Sequence, residues 1–184
     1  MSIYQDHLKN IWIGTQGGGL NRYVKDKNHF ISYKHNPEDP GSISSNGIYC
    51  IIEDKSGVLW VGTTDMGINR FDRSTGTFTT YTEMDGLPNN VIYNMLQDDQ
   101  GNIWISTIRG ISKFNPFEKT FKNYHVTDGL QDNEFNFGAA CKLKNGSFLF
   151  GGINGFNMFF PHEIVDNPII PPVVLTSFQV LNKS

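Results

Sequence analysis

The sequence is poor in cysteine, in charge and in long apolar runs, and each shortage removes a class of protein. Its two cysteines, Cys50 and Cys141, stand far apart in 184 residues with no CxxC spacing. Neither a disulfide framework nor a thiolate metal pair can be read from them, so both are expected to be small buried hydrophobes. Only 18% of residues are charged, the net charge is -3, and Lys and Arg are scattered singly. Without a basic stripe to neutralise a row of phosphates, nucleic acid is not expected as a partner. No run approaches the ~18 apolar residues that cross a bilayer, and the opening MSIYQDHLKN has no apolar core behind positive charge. Direct membrane insertion and a targeting signal are therefore not expected of this stretch.

Catalytic signatures are missing too. His7, His29, His35, His125 and His162 do not fall at metal-ligand spacings, and neither GxSxG nor HExxH occurs. The aspartate-rich turns lack the alternating oxygen ligands and distal Glu of a calcium loop. The expectation is of no catalytic residue, no metal and no cofactor.

Aromatics are plentiful at 13% and glycines number 19, a combination that suits short strands joined by tight turns. One phrase recurs: IWIGTQGGGLNRYV from Ile11, LWVGTTDMGINRFD from Leu59, IWISTIRGISKFN from Ile103 and a worn FLFGGINGFNMFF from Phe148. Trp12, Trp60 and Trp104 are 48 and 44 residues apart, and Leu149 follows Trp104 by 45. A period in the forties is the size of a four-stranded propeller blade.

Asp6, Asp54 and Asp98 stand six residues before the tryptophans, and Lys9, Gly57, Gly101 and Gly146 stand three before each anchor. EDKSG and QDDQG read as tight turns in which Asp accepts backbone hydrogen bonds and Gly supplies positive φ. The second repeat resolves into strands near 48–54, 58–63, 67–72 and 77–82, and the third into 91–98, 102–107, 110–115 and 120–126. Strands such as LWVGT are apolar on both faces, as stacked blades require and a two-sheet sandwich does not. The fold class is therefore all-β: a partial β-propeller of about four four-stranded antiparallel blades, followed by a linker and a lone strand. Each tryptophan reads as a packing wedge between blades, contributing on the order of 5 kcal/mol of gross burial. The small pair after it, Gly62 and Thr63 or Ser106 and Thr107, lets the strand approach its neighbour closely.

The phrase of Asp, Gly, apolar, Trp, Ile or Val, Gly or Ser, Thr, then Gly, apolar, Asn or Ser, Arg or Lys, aromatic resembles the two-component regulator propeller repeat of Bacteroidetes hybrid histidine kinases. Residues 128–164 resemble the last blade of those sensor regions, and NPIIPPVVLTSFQVLNKS resembles the start of the β-sandwich that follows, the Y_Y_Y domain. The resemblance implies a periplasmic sensor of poly- or oligosaccharide that signals to a histidine kinase absent from this chain. It also implies that the chain is the end of a larger propeller. Blades are expected over about 1–35, 45–82, 90–126 and 135–160, a Pro-rich linker over 161–172 and a first sandwich strand over 173–184. Met1 lies where an inner strand is already under way, which reads as a gene-fragment boundary. The remaining blades, or a second copy of the chain, are the expected partners along the open flanks.

A protein-binding scaffold and, further off, a propeller lyase are the alternatives. A lyase would need a histidine or carboxylate pair at the axis. The inner strands IYCIIED and VIYNMLQ are neutral over most of their length.

Blade topology places the loops after each second strand and the blade-to-blade connections on one face. The ligand-binding candidates there are Arg109, Asp65, Met66, Gln16, Asn90 and Asn133, with Tyr49 and Tyr93 nearer the axis. Arg109 brings a fork of donors suited to a uronate or sulfate.

Overall fold

The computed structural model describes residues 1–164, within which fifteen strands form four antiparallel sheets. The first sheet holds β1 (Ser2–Gln5), β2 (Ile11–Gly14), β3 (Leu20–Val24) and β4 (His29–Tyr33). The second holds β5 (Ile48–Glu53), β6 (Leu59–Thr63), β7 (Ile68–Phe71) and β8 (Phe78–Tyr81). In the third are β9 (Asn94–Gln97), β10 (Ile103–Thr107), β11 (Gly110–Asn115) and β12 (Thr120–Tyr124). The fourth has β13 (Phe135–Lys142), β14 (Phe148–Gly152) and β15 (Gly155–Phe159). Every sheet is a meander in chain order, and the first strands β1, β5, β9 and β13 adjoin one another around the axis. The chain is thus an all-β partial propeller. The expected strand over 173–184 lies outside the described residues.

Local chemistry explains each blade. Asp6, Asp54 and Asp98 turn the chain between first and second strands, with Oδ1 accepting from the backbone N–H of Asn10, Val58 and Asn102 at 2.8, 3.0 and 2.9 Å. The residue three before each anchor adopts left-handed φ: 66° at Lys9, 84° at Gly57, 91° at Gly101 and 89° at Gly146. The second carboxylate oxygen then accepts the indole N–H of Trp12, Trp60 or Trp104 at 2.8, 2.8 and 2.9 Å. The turn aspartate therefore also clasps the tryptophan six residues on.

Each tryptophan wedges against the third strand of the following sheet. Ring centroids are 5.3 Å apart for Trp12 and Phe71, 5.4 Å for Trp60 and Phe114, and 5.0 Å for Trp104 and Phe159. All three tryptophans are at most 1% exposed. A Cβ added at Gly62 would come within 2.6 Å of Ile92 in the next blade, which is why a small residue follows the wedge.

Two expectations need correction. Cys141 is exposed on β13 rather than buried, because the inner strand of the fourth sheet leaves that side open. The inner strand of the third sheet begins at Asn94, not 91, since Ile92 N–H bonds across the blade boundary to the Thr63 carbonyl at 3.0 Å.

Candidate functional site at the upper face

The turns after the second strands share one geometry. Thr15, Thr63 and Thr107 donate their hydroxyls to the carbonyls of Gly19, Gly67 and Gly110 at 3.0, 2.8 and 3.1 Å. The same hydroxyls accept from the backbone N–H of Gly18, Met66 and Arg109 at 3.0, 2.9 and 2.9 Å. Asn46, Asn90 and Asn133 then clip each turn to the incoming connection. Their carbonyls accept from Gly19, Gly67 and Gly110 N–H at 2.9, 2.8 and 2.6 Å, and their carboxamide oxygens from His35, Glu83 and Val126 N–H at 2.9, 2.9 and 3.0 Å. Asn90 and Asn133 therefore spend those oxygens on the fold.

Between the first and second of these turns lies an open cavity of about 700 Å³. It is lined by Gln16 and Gly17 of the first turn, Thr64, Asp65 and Met66 of the second, the connecting residues Ser44, Ser45, Asn46 and Gly47, and the rings of His35 and Tyr49. Gln16, Asp65 and Met66 are exposed, and among the described residues Asp65 accepts a bond only from its neighbour Thr64 at 3.1 Å. The cavity offers carboxamide, carboxylate and hydroxyl groups around one aromatic edge.

Tyr49 also belongs to an aromatic group at the axis. Its ring lies 5.8 Å from that of Tyr93 and 4.8 Å from that of Phe137, both inclined by 38°. Burial raises the Tyr93 phenol above its ordinary value, and the negative charge of Glu134 adds to that. Its hydroxyl stays a neutral donor and acceptor at pH 7.

Of the sequence candidates, Gln16, Asp65, Met66 and Tyr49 meet at the cavity, and Tyr93 adjoins it through Tyr49. Arg109 is exposed on the same face one blade further on and does not line it. Phe137, 45% exposed, was missed because β13 bulges. The register against β14 slips between Phe135 and Ala140, and Gly138 takes φ 73°, so Phe137 falls outside the repeat spacing that marks Tyr49 and Tyr93.

The main charge cluster sits on the opposite face and is spent on joining blades. Arg73 pairs with Asp6 at 2.8 Å and with Glu53 at 2.6 Å, while Glu53 also accepts from His7 Nδ1 at 2.6 Å. Asp6 has its carboxyl at about 2, below an ordinary 3.8: burial opposes ionisation, but hydrogen bonds from Trp12, Asn10 and Arg73 outweigh it. Among the described residues no three His, Cys, Asp or Glu side chains converge as metal ligands, and no helix is long and apolar enough to cross a membrane.

The comparisons agree with this architecture. A family model described as two component regulator propeller matches residues 42–65 and 86–109. Histidine kinase P4 of Formosa agariphila is 32% identical over 191 aligned residues, which take in 100% of this chain and 13% of that protein. The extracellular domain of the BT3049 hybrid two-component system of B. thetaiotaomicron is 29% identical with a TM-score of 0.73, over 86% of this chain and 22% of that one. That of BT4673 is 26% identical with a TM-score of 0.74, over 88% and 23%. A virginiamycin B lyase from Staphylococcus aureus, at 14% identity and a TM-score of 0.63, over 86% of this chain and 54% of that one, shares the fold alone. The repeated Asp, Trp, Thr and Gly positions and the matches over 42–65 and 86–109 show that the chain carries two-component regulator propeller repeats, within a segment that spans only a small part of the relatives it resembles.

Proposed function

We propose that this propeller segment belongs to the sensing region of a hybrid two-component system, lies on the periplasmic side, and recognises an oligosaccharide at its upper face. The signal would pass to a histidine kinase elsewhere in the system. The observation that carries the ligand class is the pairing of an aromatic edge with a polar cavity. Tyr49 borders about 700 Å³ lined by carboxamide, carboxylate and hydroxyl groups, and Tyr93 and Phe137 extend the aromatic surface. A pyranose ring presents apolar C–H faces and a rim of hydroxyls, and such a surface answers both. The similar B. thetaiotaomicron chains, described as extracellular domains, support the placement.

A glycan array on residues 1–184, followed by calorimetry on the hits, tests the reading. Tyr49→Ala is expected to weaken binding by about tenfold or more while leaving the thermal midpoint almost unchanged. A hit whose affinity is unmoved by Tyr49→Ala and Gln16→Ala would overturn this site. Arg109→Ala sorts the ligand by charge: it should weaken acidic oligosaccharides and spare neutral ones.

A further inference from the structure

On the face opposite the upper cavity, one guanidinium closes the first blade boundary. Arg73, in the β7–β8 turn, donates from Nη1 to Asp6 Oδ2 at 2.8 Å, from Nη2 to Glu53 Oε1 at 2.6 Å and from Nε to the Gly57 carbonyl at 3.2 Å. Its guanidinium carbon lies 5.8 Å from the Trp12 ring centre. The repeat gives the matching positions one boundary on. Asp54 stands for Asp6, Gln97 for Glu53, Gly101 for Gly57, and Pro116, two after Phe114, for Arg73, two after Phe71. The two turns fold alike: Gly76 and Lys119 both take left-handed φ, 76° and 58°, and donate N–H to the Asp72 and Asn115 carbonyls, each at 2.8 Å. Where Arg73 sends three donors, Pro116 has none to send.

At this second boundary lies a cavity of about 370 Å³, and Asp54, Gln97, Gly101 and Pro116, the counterparts of Arg73 and its three partners, all line it. Its carboxylate is the least satisfied of the three in the repeat. Asp6 Oδ2 accepts from Asn10 Nδ2 at 2.9 Å, Trp12 Nε1 at 2.8 Å and Arg73, and Asp98 Oδ2 from Asn102 Nδ2 at 3.0 Å and Trp104 Nε1 at 2.9 Å. Among the described residues Asp54 Oδ2 accepts from Trp60 Nε1 alone, at 2.8 Å, because Val58 stands where Asn10 and Asn102 stand and Pro116 where Arg73 stands. Neither neighbouring cation bonds to it. Lys55 pairs with Asp99 at 3.2 Å. Arg70, opposite Trp60, matches Arg22, which shares the Trp12 ring with Arg73 at 5.9 Å, so a cation at that position leaves room for a second. At the third boundary Pro161 again replaces the arginine, but Lys142 holds the position of Glu53 and Gln97, and the chain brings a cation of its own.

We propose that this cavity binds a guanidinium group from outside the chain, in the place that Arg73 fills one boundary earlier. One N–H of the fork donates to Asp54 Oδ2. A second reaches Gln97 Oε1, which accepts from Lys55 N–H at 2.8 Å and keeps another lone pair. The exposed Phe117 at the rim offers an apolar surface to the alkyl chain of an arginine. With Gln97 in place of Glu53 the site has one carboxylate rather than two, so the affinity is low, with a dissociation constant of about 1 mM. The site is remote from the upper cavity and does not rest on the oligosaccharide reading.

The probe is N-acetyl-arginine amide, titrated into the full 184-residue chain and followed by proton–nitrogen correlation spectra. The 3 tryptophans give separate indole N–H signals, assigned through Trp→Phe variants. That of Trp60, bonded to Asp54, is expected to move saturably while those of Trp12 and Trp104 stay in place. The citrulline analogue, uncharged and nearly the same shape, should bind about tenfold more weakly or not at all. Gln97→Glu restores the second carboxylate and should tighten the arginine probe by about tenfold. Pro116→Arg fills the cavity from within, and should raise the thermal midpoint and abolish binding. No saturable shift up to about 20 mM, equal affinity for citrulline, or undiminished binding in Pro116→Arg would overturn the site. Methylguanidinium and a capped Gly-Arg-Gly peptide separate the sources, and either result supports the site: equal affinities mark a free guanidinium solute, and a gain of about tenfold for the peptide marks an arginine of a polypeptide.

Discussion

Replacing Asp98 by alanine tests the clasp that the propeller repeats at each tryptophan. Asp98 is 3% exposed. Its Oδ1 accepts from Gln100 and Asn102 N–H, both at 2.9 Å, and its Oδ2 from the Asn102 carboxamide at 3.0 Å and Trp104 Nε1 at 2.9 Å. In Asp98→Ala the exposed Gln100 finds water, but the indole N–H of Trp104 and the backbone N–H of Asn102 stay buried and unpaired. At about 1–3 kcal/mol for each buried orphan, the loss is about 2–6 kcal/mol. That is a large share of the 5–15 kcal/mol typical of a domain, and at about 2–4 °C per kcal/mol it lowers the thermal midpoint by roughly 4–24 °C. Asp98→Asn keeps one acceptor oxygen and should fall between. Circular dichroism melts give the midpoints, and urea titrations of Asp98→Ala, Trp104→Phe and the double variant give the coupling. Two independent contacts would add, whereas the clasp predicts that the double variant costs less than the sum. A midpoint within about 2 °C of the parent, or strict additivity, would refute the clasp as a source of stability.

Asp6 predicts acid sensitivity. Its folded value near 2 lies below the ordinary 3.8, so its contribution of up to about 2 kcal/mol is present above about pH 4 and fades as pH falls towards 2. Asp6→Asn should flatten the stability profile in that window, as read by denaturant titrations at stepped pH. Burial pushes the Cys50 thiol up to about 12, whereas Cys141 is exposed. A thiol reagent on the folded chain should therefore modify Cys141 alone, with Cys50 reacting only after unfolding. Ile3 is 66% exposed although the matching Ile51 and Met95 are 6% and 3%, and Phe156 is 64% exposed where Ile68 and Ile111 are 0% and 1%. Those two flanks have the make-up of a blade boundary, so light scattering at micromolar concentration should show head-to-tail self-association; a stable monomer would count against it.

The architecture was legible because a propeller writes its blade once per turn of the repeat. Trp12, Trp60 and Trp104 marked the period, and the turn positions Lys9, Gly57, Gly101 and Gly146 came from spacing alone, whereas the left-handed φ of Lys9, a residue with a Cβ, did not. The Asp–Trp bond was not legible: a separation of six suggests no local contact until the turn folds the strand back over the aspartate. The site was harder again. Gln16, Asp65 and Met66 could be assigned to one face by topology, but which of that face's residues share a cavity depends on rotations between blades. Asn90 and Asn133 look like free polar loop residues in sequence, yet each is consumed by a clip to the preceding turn.

That clip bears on how one repeat can serve recognition at all. On the upper face the threonine of each turn, the glycine that ends it and the asparagine that clips it recur in the first three blades, with hydrogen bonds of nearly the same length. The residues between them do not: Gln16 in the first, Asp65 and Met66 in the second, Arg109 in the third. A scaffold that satisfies its backbone with three fixed side chains leaves the intervening positions with few structural duties, and differences there cost the fold little. Around a common axis such differences make neighbouring turns chemically unlike, carboxamide beside carboxylate beside guanidinium, at spacings set by the blades. Under the proposed oligosaccharide reading, specificity would then reside in the sequence of turns around the ring, with Tyr49, Tyr93 and Phe137 as a shared aromatic surface near the axis.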